Sequence, residues 1–533
     1  MKKKTYLLTS LMLILMGLSA QCDSTNRAYY ITENNVAATV PNAGYLFYVN
    51  NNKPGISFPA NTDIVSLFSS SYWFSGVDQN NTLKGNFQKY NGDVRMKDLY
   101  AGPISTTGTW KADCSFWSQA FRIDLDSINI FRNSSGATLP LQIKEWPAKG
   151  NPFLITKGIT VYEAAAPFVD LNGDGIYNPT QGDFPKVKGD VSFFSIENDD
   201  SIHFNSNSIK MRIEIKKMLY LCKSNGIIAN TIFYDLAITN KSPDNFHDCV
   251  FSVFADPDLG CSVDDLVGSD SLGNMAYVYN ARVFDISGCT LLGLGNDSSL
   301  PIFGIKILKS YQNAGLTSFL SYSGYSGSDP SVTFDYRNYQ LCKDKMGFDM
   351  SYKGRAAKHA YSGNPSKANE WSMCSDSLSG DDQRFVMNSY VGDFKKDSSI
   401  SYSLAYFHVR PKGGVGLCPD RDVYITPYAD SLQNFYDNNL LCQTFPLGLT
   451  AVEKSDNEVV LFPNPTQNKS FTIITTEQGD KTITLYNPMG QIILTKQISS
   501  STSEINTESL TKGIYFVKVS LVKKEIIKKI VVQ

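Results

Sequence analysis

The sequence predicts an all-β protein built from several β-sandwich domains. Aromatic residues make up 12% of its 533 residues, with 29 Tyr and 31 Phe, and this composition favours strands over helices. Runs of alternating apolar and polar residues recur along the chain, separated by turn-forming clusters, which is the pattern of half-buried strands. No long segment shows a convincing 3.6-residue apolar period. A chain of this length exceeds one compact core, so we expect several domains.

Composition and charge exclude two classes of protein. The chain carries 49 Lys and Arg against 51 Asp and Glu, a net charge of −2, whereas nucleic-acid binders need a basic face. Hydrophobic residues make up 42% of the chain, which is enough for a core and excludes bulk disorder. We therefore expect a folded protein that does not bind nucleic acid.

The first twenty residues have the layout of a secretory signal peptide. Residues 2–4 are lysines, Tyr6–Leu18 is an apolar run, and the small residues Ser19 and Ala20 follow it. The apolar run is shorter than the roughly 20 residues that span a bilayer, which disfavours the alternative of an N-terminal membrane anchor. We predict a signal peptide at 1–20 and a mature chain, without a membrane span, that lies outside the cytoplasm.

Ten cysteines follow the signal segment. An even number in an oxidising compartment predicts disulfides, although spacing alone does not reveal which cysteines pair. The alternative for several of them is a buried thiol. No two show the CxxC spacing of a zinc or redox site. Cys22 follows Gln21, where a lipoprotein signal has a small residue, and this disfavours lipidation of Cys22.

Strict alternation marks three segments as strands: Ile209–Ile215, Thr231–Thr239 and Ser399–Val409. The chain becomes polar after residue 445, and a smaller unit with six or seven short strands follows. We divide the mature chain into an N-terminal β region at 21–150, a central β-sandwich body at 151–445, a linker at 446–458 and a C-terminal unit at 459–533.

Four blocks of the C-terminal unit carry a family resemblance. They are LFPNP at 461–465, LYNPMG at 485–490, GIYFVKV at 513–519 and KKIVV at 528–532. In order and spacing they resemble the type A C-terminal sorting domain of type IX secretion cargo. The resemblance implies an immunoglobulin-like sandwich that the type IX translocon and sorting machinery recognise. It also implies export through the inner and outer membranes, to the medium or the cell surface.

A broader resemblance covers the body. Scattered motifs at Tyr72–Asp78, Trp146–Pro152, Asp170–Pro185 and Asp256–Asp270 are similar to a body architecture that recurs among large type IX cargo proteins. No activity is assigned to that architecture. The resemblance therefore implies export and fold and leaves the function open.

The segment Asp170–Gln181 resembles the start of a calcium-binding loop. Oxygen-bearing side chains occupy positions one, three and five, glycine occupies position six, and the Ile176 carbonyl follows at position seven. Gln181 stands where an EF-hand has Glu, and Asp183 offers a carboxylate to close the site. The alternative is a polar turn without an ion. We predict Ca²⁺ as cofactor, bound by Asp170, Asn172, Asp174, Ile176, Gln181 and Asp183.

A second acidic segment spans residues 255–270. It holds five carboxylates in sixteen residues without a Lys or Arg, and such crowding is relieved by a cation, by protonation or by solvent. We favour a solvated acidic loop slightly over a second cation site.

Catalytic motifs are mostly absent from the sequence. It contains neither HExxH nor GxSxG, and His408 lies in register with the apolar residues of a predicted strand. We therefore favour a binding, adhesive or structural role, with an extracellular glycan or protein as ligand, over an enzyme. The alternative is a secreted hydrolase of glycan or peptide, for which four tryptophans could stack on sugars: Trp73, Trp110, Trp117 and Trp371. A deep cleft with two carboxylates would favour that alternative.

Overall fold

The structure is a computed structural model. It describes residues 28–48, 53–60, 62, 64–90, 97–104, 114–134, 136–161, 165–282, 301–324, 327–352, 354–410, 417–438, 442, 459–467, 470–475, 479–487, 491–520 and 525–532. The predicted signal peptide and the predicted linker at 446–458 lie outside these residues. The chain divides into two compact units, Met1–Leu449 and Thr450–Gln533, which we call the body and the tail.

The body consists mainly of strands. They are β1 (Ala28–Ile31), β2 (Ala37–Pro41), β3 (Phe47–Tyr48), β4 (Ile56–Ser57), β5 (Val65–Leu67), β6 (Ser69–Asp78), β7 (Leu83–Asn86), β8 (Tyr100–Ala101), β9 (Phe121–Asp124), β10 (Phe168–Val169), β11 (Phe184–Pro185), β12 (Val191–Asn198), β13 (Ile213–Leu221), β14 (Thr231–Asn240), β15 (Phe246–Asp256), β16 (Asp265–Asp270), β17 (Met275–Asn280), β18 (Ile302–Lys309), β19 (Ser318–Ser323), β20 (Ser351–Tyr352), β21 (Arg355–Ala356), β22 (Gln383–Phe394) and β23 (Ser399–Val409).

The helices of the body are short. They are α1 (Cys114–Trp117), α2 (Leu125–Asn133), α3 (Leu141–Lys144), α4 (Pro152–Ile155), α5 (Gly226–Ala229), α6 (Thr333–Gln340), α7 (Arg421–Tyr424) and α8 (Thr426–Asp437). The helical pattern of α8 was not recognised in the sequence, although Ala429, Leu432 and Phe435 form its buried face. Among the described helices, none has the length and apolar character needed to cross a membrane.

Two antiparallel sheets form the core of the body. The large sheet has nine strands in the order β16-β17-β18-β23-β14-β13-β12-β8, with β9 also pairing with β12. The small sheet has six strands in the order β19-β22-β15-β6-β3, with β7 pairing with β6. Strands from the predicted N-terminal region and from the predicted central body share both sheets, so we describe these regions together.

Aromatic side chains join the two sheets into a sandwich. The ring of Phe251 on β15 stacks on Tyr402 of β23 with centroids 3.9 Å apart, and Phe47 on β3 meets Tyr406 of β23 edge-on at 4.8 Å. Such pairs contribute roughly 0.5–1.5 kcal/mol beyond the burial of their area. The sandwich confirms the all-β prediction for the body.

Two of the three predicted body strands are confirmed, and one is displaced. Strand β23 has the predicted bounds, and β14 buries the predicted face. The segment predicted as a strand at 209–215 becomes one only at Ile213, because Arg212 has a φ of 61°. The backbone N–H groups of Met211 and Ile213 donate to the buried Asp199 carboxylate at 2.7 and 2.6 Å, which removes them from the ladder.

The tail is a separate two-sheet sandwich. Its strands are β24 (Val459–Gln467), β25 (Ser470–Thr475), β26 (Lys481–Tyr486), β27 (Ile492–Ile498), β28 (Thr502–Asn506), β29 (Gly513–Ser520) and β30 (Glu525–Val532). They form one sheet in the order β24-β25-β28 and another in the order β27-β26-β29-β30. Side chains from both sheets, including Phe471, Ile473, Leu485 and Val517, share one core. This is the small sandwich expected from the sequence, with β28 added.

The described cysteines divide into disulfides and buried thiols. Cys222 pairs with Cys442 and Cys374 pairs with Cys418, with Cα atoms 5.0 and 6.0 Å apart, and Cys261 is also disulfide-bonded. Two others, Cys249 and Cys342, are free and buried. Some cysteines therefore form disulfides, as predicted, and two are buried thiols, which was the alternative.

His408 is a core residue of the large sheet. Its ring stacks on Phe58 with centroids 4.7 Å apart and tilts against Phe303 at 5.1 Å. Neither ring nitrogen has a hydrogen-bond partner in the described structure. Burial lowers the pKa of His408 to about 3, so the ring stays neutral inside the fold.

We expect His408 to weaken the fold in acid. As the pH falls below about 6.5, the unfolded chain binds this proton and the folded chain does not. Stability is therefore complete above that pH and is lost by about 1.4 kcal/mol per pH unit down to the folded pKa. Urea unfolding of wild type and His408→Phe between pH 7 and pH 4 should show a shallower loss for the variant, and equal slopes would contradict this assignment.

Candidate functional site

The predicted calcium loop projects from a two-stranded stem. Strand β10 pairs with β11, and the loop between them spans residues 170–183. The buried Asp183 closes it, because its carboxylate accepts the N–H groups of Leu171 and Asn178, each at 2.9 Å. The loop is thus tied to its base by a side chain that the sequence had singled out.

The upper part of the loop is ordered by its own oxygen atoms. Asp170 accepts the N–H groups of Gly173 and Gly175 at 2.7 and 2.8 Å, and Asp174 accepts that of Ile176 at 2.8 Å. Both glycines have a left-handed φ, of 75° and 73°, which other residues adopt at a cost. The same carboxylates that calcium would use therefore hold the turn.

Three of the predicted ligands contact one another. The Asn172 amide donates to Asp174 at 2.9 Å and to Gln181 at 3.4 Å. The carbonyl of Ile176 was predicted as a ligand, and the described contact of this residue is the N–H that it donates to Asp174. Three carboxylates do not approach within 4.8 Å of one another here. Among the described residues, that spacing is found at Asp256, Asp258 and Asp382.

The acidic segment at 255–270 is not a solvated loop. Its five carboxylates are all buried: Asp256, Asp258, Asp264, Asp265 and Asp270. The preference for solvent was wrong because the segment forms the end of β15 and the strand β16, and both belong to the sandwich. Asp265 accepts the N–H of Leu259 at 3.2 Å, and Asp270 accepts those of Leu272 and Gly273 at 3.0 Å each.

A cleft of about 600 Å³ lies on the outer side of the large sheet. Its floor comes from β13, β14 and β23, and one wall comes from α8. The lining also includes Pro167 and Lys186, which flank the stem of the predicted calcium loop and are joined by a backbone hydrogen bond of 3.1 Å. Apolar or aromatic side chains that line the cleft include Met218, Tyr220, Ala237, Phe435 and Tyr436.

The charges of the cleft are mainly positive. Its lining includes Lys186, Lys188, Lys216 and Lys309, and it also includes Lys217, whose ammonium is buried and pairs with Glu197 at 3.0 Å. The described lining contains one carboxylate, that of Asp235, which lies 2.7 Å from the ammonium of Lys188. That ammonium also lies 5.0 Å from the ring centroid of Tyr436. Lys186 and Lys309 have no ion pair in the described structure, so their charges are available to a ligand.

Sequence analysis missed the cleft. Its residues lie on strands and on a helix between residues 165 and 436, and each was indistinguishable from an ordinary outward-facing side chain. The only local signal for the cleft was that the alternating pattern of the strands places some of its side chains on the outward face of the sheet.

The remaining candidate catalytic groups have structural contacts. The His203 ring is buried and bonds the carbonyls of Gly85 and Asp199, and the His359 ring bonds that of Leu316. Burial raises the thiol pKa of Cys249 to about 12 and that of Cys342 to about 11, whereas a reactive cysteine needs a lowered pKa.

The tryptophans proposed for sugar stacking are mostly buried. Trp73 and Trp117 belong to the core, and Trp371 stacks on Tyr352 with centroids 4.3 Å apart. Trp110 lies outside the described residues.

Comparison with known proteins identifies the tail. Residues 460–533 match the family described as the secretion system C-terminal sorting domain. The protein is a cargo of the type IX secretion system. This cargo protein is therefore exported, and it is secreted or attached to the cell surface. Its sorting domain implies an interaction with the type IX secretion machinery.

The cargo protein also has a short similarity to a characterised enzyme. It is 27% identical over 73 residues to Beta-agarase A of Zobellia galactanivorans. The aligned region covers 14% of this chain and 14% of the agarase. The similarity thus covers a small part of either protein.

Proposed function

We propose that the exported protein binds an anionic ligand with an apolar face, such as an acidic oligosaccharide, in the cleft on its large sheet. The observation that supports this is the combination of an aromatic floor with two lysines, Lys186 and Lys309, that have no ion pair in the described structure. A cleft of about 600 Å³ lies within the roughly 300–1,000 Å³ of ordinary ligand pockets.

The lining favours binding over hydrolysis. Glycosidases place two carboxylates about 5 to 9.5 Å apart across the scissile bond. In the described lining, Asp235 has no acidic partner and is already neutralised by Lys188. The short similarity to an agarase keeps hydrolysis of a glycan as the second candidate, and its discriminating test is the release of reducing sugar.

Neutralising the unpaired lysines should weaken ligand binding. The double variant Lys186→Gln, Lys309→Gln removes two charged donors from the rim of the cleft, and we expect about a tenfold loss of affinity per lysine. Calorimetry with sulfated and desulfated forms of the same oligosaccharide measures this loss. The matched control is Lys358→Gln, an exposed lysine outside the cleft. Equal affinities for the two oligosaccharides, or equal effects of the two variants, would contradict the proposal.

We also propose that calcium binds the loop at 170–183 through the six predicted residues. The hydrogen bonds that join Asn172 to Asp174 and Gln181 support it, as does the Asp170 carboxylate that orders the same loop. Binding would exchange hydrogen bonds within the loop for ion contacts. Because Pro167 and Lys186 flank the stem, an ion in the loop would also hold part of the lining of the cleft.

Calcium should stabilise the wild-type protein more than Asp174→Asn. For a dissociation constant of about 10⁻⁴ M, 10 mM calcium stabilises the fold by about 2.7 kcal/mol, which raises Tm by several degrees. Melting after chelator treatment, with and without added calcium, measures the difference. Asp126→Asn is the matched control, since that carboxylate is exposed on α2. A calcium response of Asp174→Asn equal to that of wild type would contradict this assignment.

A further inference from the structure

A second group of acidic side chains meets at one end of the small sheet. Asp256 is the last residue of β15, Asp382 immediately precedes β22, and Tyr322 of β19 pairs in register with Arg384 of β22. Antiparallel pairing therefore brings residues that are distant in sequence to the same sheet end. We define the acidic cluster as the side chains of Asp256, Asp258, Asp329 and Asp382.

The acidic cluster has more negative than positive charge. When ionised, its four carboxylates carry a charge of −4. Arg384 lies 3.3 Å from Asp256, 3.3 Å from Asp329 and 3.1 Å from Asp382. The only other cation within ion-pair distance of these carboxylates in the described structure is Lys89, 3.4 Å from Asp329. The two cations leave a charge of −2, which one divalent cation would neutralise.

Three of the carboxylates have the spacing of metal ligands. One oxygen each from Asp256, Asp258 and Asp382 lies within 4.8 Å of the other two. Asp256 and Asp258 are buried, and the Asp382 side chain is 13% exposed. Three carboxylates this close together and this far from water repel one another, so their charged forms are costly unless a cation is present.

Two buried polar groups at the cluster lack a hydrogen-bond partner. Asp256 is 4% exposed, and its Oδ1 has no hydrogen-bond partner in the described structure. Tyr322 is 8% exposed, and its hydroxyl has no hydrogen-bond partner in the described structure. Tyr322 pairs in register with Arg384, which forms ion pairs with Asp256 and Asp382, so Tyr322 lies at the same end of the sheet as the cluster. Buried polar groups are usually hydrogen-bonded, so two such groups at one place indicate a missing ligand.

We propose that Asp256, Asp258 and Asp382 bind one divalent oxygen-seeking cation, with calcium preferred over magnesium. Calcium accepts six to eight oxygen ligands in flexible geometry, whereas magnesium retains several waters, for which a site this buried has little room. Arg384 neutralises part of the remaining charge and orients two of the carboxylates. This site is distinct from the loop at 170–183 and does not depend on the function proposed for the cleft.

The test separates the two calcium sites by using full-length Asp174→Asn as the background. We expect calorimetric titration of this protein with calcium to show one ion per chain, and calcium to raise its Tm by several degrees. Adding Asp258→Asn should abolish both responses. In chelator the same change should raise Tm, because it removes one of the crowded buried charges.

Two results would contradict a cation site at Asp256, Asp258 and Asp382. Failure of Asp174→Asn to bind calcium would overturn the proposal, as would an equal calcium response after adding Asp258→Asn. If the Asp258 variant does not fold, Asp382→Asn replaces it, since that side chain is less buried. If the loop does not bind calcium, wild type and Asp174→Asn show the same calcium response. The comparison of Asp174→Asn with the Asp174→Asn, Asp258→Asn double variant then still tests the site at Asp258. An equal response to magnesium would refute the stated preference.

Discussion

Deleting residues 450–533 should abolish delivery of the protein to the outside of the cell. The tail matches the sorting domain of type IX secretion at residues 460–533, and it forms a compact unit with its own core. The body should therefore fold without the tail. We expect cell fractionation of the native host to find the truncated protein in the periplasm and almost none outside, whereas the full-length protein is found outside.

A point variant tests whether export requires the folded tail rather than a short motif. Val517 is fully buried in the tail core, and Val517→Asp places a charge there, which costs several kcal/mol. We expect this variant to be exported as poorly as the truncated protein. The matched control Glu504→Gln changes an exposed side chain of the same unit and should be exported normally. Normal export of the truncated protein would contradict the assignment of the tail.

The parts of the fold that could be predicted are those governed by local pattern. Strand β23 has the predicted bounds because its alternation is strict and its apolar face meets the opposite sheet. The start of β13 was mispredicted because the side chain of Asp199, which lies outside the alternating segment, takes two backbone donors. Helix α8 was missed because its apolar residues form a short buried stripe in a chain otherwise dominated by strands.

The same distinction explains the candidate sites. The loop at 170–183 could be predicted because the hydrogen bonds of its Asp and Asn side chains join residues at most twelve positions apart. The acidic cluster could be predicted only in part, since the sequence shows Asp256 and Asp258 together but gives no sign that Asp382 joins them. Their burial was missed because it results from the pairing of β15 with β22, which no local pattern specifies.

Glu197→Gln should be among the most destabilising single changes in the body. Glu197 on β12 and Lys217 on β13 form an ion pair of 3.0 Å with side chains 0% and 2% exposed. The carboxylate also accepts the hydroxyl of Tyr72 and, at 2.6 Å, the N–H of Gly44. The Lys217 ammonium donates to the carbonyl of Tyr45 at 3.0 Å. Glu197 and Lys217 lie on neighbouring strands of the large sheet, and the hydrogen bond from Tyr72 on β6 connects this pair to the small sheet.

Removing one charge leaves the other buried without a counter-charge. Breaking a buried pair in this way costs about 3–5 kcal/mol, whereas replacing both partners by apolar or neutral groups is far less costly. We expect Glu197→Gln to lower the free energy of unfolding by that amount. Adding Lys217→Met should recover most of the loss. Urea unfolding followed by tryptophan fluorescence measures each term of this cycle.

An exposed pair provides the matched control. Lys343 and Asp349 lie 2.6 Å apart, but their side chains are 32% and 70% exposed, and such pairs contribute about 0–1 kcal/mol. We therefore expect Asp349→Asn to change stability by less than about 1 kcal/mol. Because the two pairs have similar distances, a large difference between the variants would follow from burial and from the added hydrogen bonds of Glu197 to Gly44 and Tyr72. Similar small effects would mean that water reaches Glu197, and that the two sheets are not closed at this point.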